Sequence, residues 1–196
     1  MAATGEREIQ AVAKHGWTGL LVLVGLHTLA WPLAASLYDG DVAVHYDMLE
    51  SWAWGKELQL GYYKHPPFFA WLAGLWFKIA PRDNFWFYLL ATLNSGVGLI
   101  AVWLFARRIL DRSAWLVAVA LVMLAPFHGV LALKFNANTV LLSIFPWIAY
   151  AFLRALETRS IIYGALFGVL AGVGMLSKYY TIVPLLCCLA AALLHP

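Results

Sequence analysis

The sequence predicts an all-α, polytopic membrane protein, and three observations carry that prediction. Hydrophobic residues make up 63% of the 196 and charged residues only 12%, about half the charged share of a soluble domain. Mean hydropathy is +0.78. Apolar runs of about 20 residues recur, each long enough to cross a hydrocarbon core of roughly 30 Å. One polar, aromatic stretch, Asp47 to Pro67 (DMLESWAWGKELQLGYYKHPP), breaks the pattern and has no role in spanning a bilayer. The net charge of +3 is small and dispersed, so nothing points to nucleic acid as a partner.

Six spans follow in order: Trp17–Leu37, Phe85–Ala106, Ala114–Leu133, Thr139–Leu153, Ile161–Leu176 and Tyr180–Leu194. The first follows Arg7 and Lys14 and contains Ala34-Ala35-Ser36, which imitates a cleavage site. Its length exceeds a signal core of roughly 7–15 residues, so it reads as an uncleaved span. Pro66–Ala80 is also apolar, but it is short and opens on two prolines.

The positive-inside rule places the densest basic cluster, Arg107, Arg108 and Arg112, in the cytoplasm. Counting Pro66–Ala80 as a full span would put that cluster outside. The segment is therefore expected to lie in the interface, within a first outer loop over 38–84. Arg154, Glu157 and Arg159 then fall inside. Asp47, Lys64, His65, Lys134, Asn136, Asn138 and Lys178 all fall on the outer face, and this convergence of useful side chains favours the topology.

Other features concern packing. Gly164, Gly168 and Gly172 repeat at four-residue spacing, which puts them on one helical face that permits close approach. Asn94, Ser95, Gly96 and Gly98 form a small polar patch in the second span. Cys187 and Cys188 are adjacent within an apolar run, where two small buried residues are expected rather than a disulfide or metal pair. Leu194-His195-Pro196 closes directly on an apolar run. Residues 1–196 are accordingly expected to be the N-terminal portion of a single transmembrane domain of a longer chain.

The chemistry-bearing residues come next. Asp47 lies just past the first span, in a loop that also holds Asp39 and Asp41. A carboxylate there can take a proton from an acceptor, ligate a cation, or simply be solvated. Glu50 and Glu57 read as surface acids on the same helix. In Gly61-Tyr62-Tyr63-Lys64-His65-Pro66-Pro67, Lys64 and His65 offer donors for a phosphate; an aromatic belt with a snorkelling lysine explains them equally well. Lys178 either snorkels or pairs with an anionic headgroup. Asn138 suits an N-cap. His27 lies within a span, where polar groups carry a functional suspicion, whereas His45, His128 and His195 show no metal-ligand spacing.

Taken in order, Asp47, Trp52, Trp54, the Gly61–Pro67 run, Arg107-Arg108, Asn136-Ala137-Asn138, Arg154-Ala155-Leu156 and Gly174–Tyr179 resemble the bacterial glycosyltransferase family 39 proteins. These are relatives of dolichyl-phosphate-mannose protein mannosyltransferases and of the lipid A aminoarabinose transferase. The resemblance covers roughly residues 17–194 and the family's N-terminal part. Met48 follows Asp47 where the family usually has Glu, and Asn138 stands where many members carry an acid.

The resemblance implies a GT-C-like transmembrane helix bundle with interfacial helices in the first outer loop. It implies an enzyme of the bacterial inner membrane that moves a sugar from a polyprenyl-phosphate donor to a lipid, glycan or protein acceptor at the outer face. Asp47 matches the position of the catalytic base. Lys64, His65 and Lys178, with Tyr63 and Asn138 beside them, match the side that holds the carrier phosphate. No metal ligands are identified, and a divalent metal is possible for such enzymes. The competing expectation is a membrane protein that binds or transports a polyprenyl lipid without chemistry; the clustering of polar residues at one face, rather than at mid-membrane, favours the enzyme.

Overall fold

The computed structural model describes residues 2–40, 42–111 and 114–194, with side chains placed from Gly16 onward except that of Asp39. Asp41, Arg112 and His195, and the side chains of Arg7, Lys14 and Asp39, lie outside the described residues.

Among the described residues the chain forms eight α-helices and no strand: α1 Ala2–Asp39, α2 Tyr46–Gly55, α3 Phe68–Trp76, α4 Asn84–Ile109, α5 Trp115–Leu124, α6 Leu141–Thr158, α7 Ile161–Ser177 and α8 Ile182–Leu194. It is an all-α membrane helix bundle. The segments Gly16–Tyr38, Asn84–Ile109 and Leu141–Thr158 are long and apolar enough to cross a membrane; Trp115–Leu124, Ile161–Ser177 and Tyr179–Leu194 are shorter apolar helices.

Side-chain pairs fix the helix directions. Trp17 meets Trp103 at 4.4 Å between ring centroids, and Thr92 Oγ1 donates to the Thr28 carbonyl at 2.9 Å. α1 and α4 are thus antiparallel. Asn94 Nδ2 donates to the Thr139 carbonyl at 2.8 Å, and Arg108 pairs with Glu157 at 3.1 Å. α4 and α6 therefore run in the same direction, which requires the intervening segment to return across the bundle. Arg154 lies over the Tyr163 ring at 5.0 Å, while Lys178 reaches Asn138, so α7 turns back along α6. A bundle of alternating direction gathers Arg107, Arg108, Arg154 and Glu157 at one end. Asp47, His65, Asn136, Asn138 and Lys178 gather at the other.

Two expectations change. The span predicted over Ala114–Leu133 is helical only to Leu124, after which the chain runs on in turns. Pro126 explains the break: Ala125 before it is extended (φ −66°, ψ 134°), as sterics before proline favour. The freed backbone is rebonded locally, with Leu131 N–H donating to the Pro126 carbonyl at 3.0 Å, as burial in a membrane demands. Among the described residues the Gly164-Gly168-Gly172 face has no close neighbour: an added Cβ at each would meet no atom within 4 Å. Close approach occurs elsewhere, at Gly98 against the Leu142 backbone and at Gly55 against Gly74.

The Pro66–Ala80 segment yields α3, nine residues long, only about 13 Å of helix and too short to span. α2 and α3 cross where Gly55 and Gly74 touch backbone to backbone. Met48, Phe69, Ala70 and Ala73 then join Phe87, Tyr88, Phe135, Leu141 and Ile144 in one buried core. The start of α6 meets α4 at Asn94, ten residues past the start of α4. That places it roughly 15 Å down the α4 axis. α2 and α3 fill this step, and the polar site sits at its floor.

Candidate active site

Asp47 is placed by the first turn of α2. His45, the residue before the helix, caps it: the Asp47 N–H donates to His45 Nδ1 at 3.3 Å. A carboxylate in the first turn also suits the positive end of the helix dipole. One turn on, Ser51 Oγ donates to the Asp47 carbonyl at 2.7 Å and to the Phe135 carbonyl at 3.2 Å. This buried serine ties α2 to the loop that precedes α6.

That loop presents Asn136. Its Nδ2 donates to Asp47 Oδ2 at 3.0 Å, while its Oδ1 accepts from the Asn138 N–H at 2.8 Å and the Thr139 N–H at 3.1 Å. The amide therefore caps its own turn with one end and orients the carboxylate with the other. His45 Nδ1 is 3.7 Å from the same Oδ2. Both contacts fall on Oδ2, and among the described residues Asp47 Oδ1 accepts no hydrogen bond.

Asn138 does not cap α6, whose N-cap position is Val140 with no side-chain hydrogen bond; Asn136 closes the turn before it, and Asn138 faces a cation. Lys178 Nζ donates to Asn138 Oδ1. Lys178 is delivered by the end of α7, where its N–H closes on the Gly174 carbonyl at 2.9 Å and Gly174 lets Thr181 pack close.

His65 sits among these groups. Burial chiefly, then the charge of Lys178, pull its pKa below the usual histidine value, while Glu50 and Asp47 push it up and Lys64 lowers it. One imidazole thus senses both carboxylates and both lysines. Pro66 and Pro67, both buried, hold it at the mouth of α3, and the His65 carbonyl accepts from the Tyr62 N–H at 3.1 Å.

Lys64 is already neutralised. Its Nζ lies 2.8 Å from Glu50 Oε1, and that hydrogen bond holds its pKa above the ordinary lysine range. Glu50 is thus a partner rather than a free surface acid. Lys64 also lies 5.1 Å from the Tyr63 ring centroid. Tyr63 is 81% exposed and stands edge-on to Trp54 at 5.5 Å. Trp54 stacks on Tyr62 at 4.8 Å, and Tyr62 Oη donates to the Trp54 carbonyl at 2.7 Å. These contacts pin the 56–65 loop back onto α2.

Sequence reasoning missed Asn136 and His45 as site residues. The signal for Asn136 was its place two residues before Asn138, the spacing of a side-chain turn. No sequence signal links it to Asp47, 89 residues away. His27 bonds the His128 carbonyl at 2.8 Å, and Ser95 Oγ meets His128 Nδ1 at 3.0 Å; this buried cluster is separate from the Asp47 site. Among the described residues no group of three or more His, Cys, Asp or Glu converges as a metal site.

The profile of the dolichyl-phosphate-mannose-protein mannosyltransferase family matches residues 64–196. That range includes His65, Asn136, Asn138 and Lys178 and begins after Asp47. The chain is 25% identical over 166 residues to a lipid A galacturonosyltransferase of Rhizobium johnstonii, covering 83% of this chain and 34% of that protein. The chain thus spans about a third of the length of this relative. No solved structure matches. With more than half its residues matched by the family profile, the chain belongs to the dolichyl-phosphate-mannose-protein mannosyltransferase family.

Proposed function

We propose that this chain forms part of a glycosyltransferase that moves a sugar from a polyprenyl-phosphate donor to an acceptor at the outer face of the bacterial inner membrane. The observation that carries the reading is the pairing of an oriented carboxylate with a cationic pocket: Asp47 is held by Asn136, and His65 lies within the combined field of Lys178, Lys64, Glu50 and Asp47.

The chemistry balances on these groups. An acceptor oxygen or nitrogen attacks the anomeric carbon while its proton passes to Asp47 Oδ1. The bond from that carbon to the phosphate oxygen breaks, and the electron pair leaves on the carrier phosphate. Lys178 and His65 stabilise the charge that develops there. The sugar configuration inverts in a single displacement.

An apolar groove of about 530 Å³ lies between α3, α4, α6 and α7, lined by Phe68, Leu72, Phe135, Ile144, Trp147 and Leu170, with Phe135 next in sequence to Asn136 and Phe68 three residues past His65. It suits an isoprenoid tail whose phosphate rests at His65 and Lys178. The orientation follows from Arg107 and Arg108 at the opposite end, which the positive-inside rule assigns to the cytoplasm. The family relation supports the reaction class, and the lipid A acceptor of the Rhizobium relative makes a lipid acceptor the first to try.

The test is transfer of labelled sugar in proteoliposomes holding the protein, offered either polyprenyl-phosphate sugars or nucleotide sugars. Transfer from the lipid-linked donors alone supports the reading. Transfer from nucleotide sugars alone overturns the donor assignment. Donor binding without transfer to any acceptor points to a carrier-binding protein.

A further inference from the structure

At the end of the bundle away from Asp47, a pocket of about 230 Å³ opens between α4, α5 and α6, lined by Leu104, Arg107, Arg108, Trp115, Tyr150 and Arg154. Among the described residues three guanidinium groups thus face one small space. Arg107 is held by aromatic rings: its guanidinium carbon lies 4.5 Å from the Trp103 ring centroid and 4.7 Å from that of Trp115. A guanidinium lying over aromatic faces keeps its edge of N–H donors for other acceptors. The carboxylate that serves the other two arginines is Glu157, which takes Arg108 Nε at 3.2 Å and Arg154 Nη1 at 2.8 Å. Both Nη groups of Arg108 are left without a partner among the described residues. Arg154 Nε is buried and has no hydrogen-bond partner among them either. Asp111, in the link after α4, is exposed and forms no ion pair among the described residues.

We propose that this pocket binds the phosphate of an anionic lipid headgroup, with its oxygens in the forks of Arg107 and Arg108 and its acyl chains in the surrounding bilayer. The donor set selects the group. Planar guanidinium forks match phosphate oxygens two at a time, and three of them meet one carboxylate here. A buried donor left unbonded, as Arg154 Nε is, is costly, and a phosphate offers it an acceptor. Position agrees with the chemistry. Trp115 and Tyr150 at the same pocket are residue types of the headgroup layer, and basic pockets between membrane helices on the cytoplasmic side suit such headgroups. The positive-inside orientation names the leaflet as the inner one; the binding itself depends on neither Asp47 nor sugar transfer.

The experiment places purified protein in nanodiscs of phosphatidylglycerol and phosphatidylcholine and counts co-retained lipid by native mass spectrometry. Wild-type protein should retain phosphatidylglycerol in preference to phosphatidylcholine. Arg107→Gln should cut that preference roughly fivefold, the equivalent of about 1 kcal/mol. Arg159→Gln removes the same charge at the same end of the bundle but outside the pocket lining, and it should change the preference less than about twofold. Thermal unfolding in discs of phosphatidylcholine alone is the folding control. If Arg107→Gln unfolds there, Arg107→Lys carries the comparison: it keeps the charge, loses the fork, and should lower the preference in the same direction. A separate arm adds inorganic phosphate to the phosphatidylcholine discs, where the unfolding midpoint should rise far less than phosphatidylglycerol raises it. Equal losses in Arg107→Gln and Arg159→Gln, or no wild-type preference, would reduce the effect to general charge attraction and overturn the proposal. Stabilisation by inorganic phosphate equal to that by the lipid would overturn the lipid as its source.

Discussion

The Asn136 side-chain amide donates to Asp47 Oδ2 at 3.0 Å, joining α2 to the entry of α6 across 89 residues of sequence. The same side chain accepts two backbone N–H groups of its own turn, so the carboxylate is oriented by a group that is itself fixed. This bond lies at the centre of the proposed chemistry.

Asn136→Ala removes that orientation and leaves the Asn138 and Thr139 N–H groups unbonded. Loss of a cap of this kind costs about 1 kcal/mol, and a loosely held base can cost on the order of 100-fold in turnover. Turnover should fall far more than donor affinity. Asn136→Asp is the more telling variant. A second carboxylate beside Asp47 raises the pKa of the pair, so the acid limb of the pH–rate profile should move up. A purely structural role for Asn136 would leave that limb in place.

His65 predicts a pH dependence. Its native pKa is depressed, by burial first and Lys178 second. The native state therefore binds fewer protons than the unfolded state at mildly acidic pH, and stability rises with pH there. The contribution is complete above the unfolded pKa of about 6.5 and is lost as pH falls below it. A bound phosphate diester reverses the balance by favouring the imidazolium. Donor affinity should therefore strengthen as the pH falls into the mildly acidic range, and His65→Gln should flatten that trend. Isothermal titration with a donor analogue at several pH values checks it.

The two lysines should not be equivalent. Lys64 already has a carboxylate partner in Glu50, whereas Lys178 meets only the neutral amide of Asn138 among the described residues. Lys178→Gln should weaken retention of an anionic carrier more than Lys64→Gln does. Glu50→Gln should strengthen it by releasing Lys64. Equal losses from both lysine variants would remove Lys178 from its assigned place.

The crossing of α2 and α3 admits no side chain at Gly55 or Gly74, since a Cβ at either would collide with backbone of the other helix. Gly55→Ala or Gly74→Ala should separate the helices and destabilise the fold by about 1–3 kcal/mol. Turnover should fall with stability, because Asp47 rides on α2. Thermal unfolding in detergent, with activity measured beside it, reports both.

Much of this arrangement was legible in the sequence because long apolar runs can only be helices in a bilayer. Five of the six apolar segments formed helices where hydropathy put them, and the Pro66–Ala80 segment gave a helix of only nine residues. α5 was misread because hydropathy treats Ala125-Pro126 as apolar continuation, while the backbone before a proline resists the helix. The glycine stripe of α7 shows a related limit: spacing marks a face that can pack closely, and among the described residues no partner lies on it. At the site, the residue types were legible and their pairing was not. Lys64 pairs with Glu50 where the 56–65 loop folds back on α2, Lys178 with Asn138 where α7 ends beside the loop before α6, and Asp47 with Asn136 where α2 meets that same loop. Such tertiary contacts leave no periodic trace in the chain.

The central claim is that Asp47 accepts the acceptor's proton while other residues hold the donor. The most direct measurement compares wild-type and Asp47→Asn protein in the same proteoliposomes, reading the initial rate of sugar transfer and the donor Kd together. The account predicts a loss in rate of at least about 100-fold, as removal of a general base produces, with donor Kd changed by less than roughly threefold. Transfer by Asp47→Asn at close to the wild-type rate would contradict it.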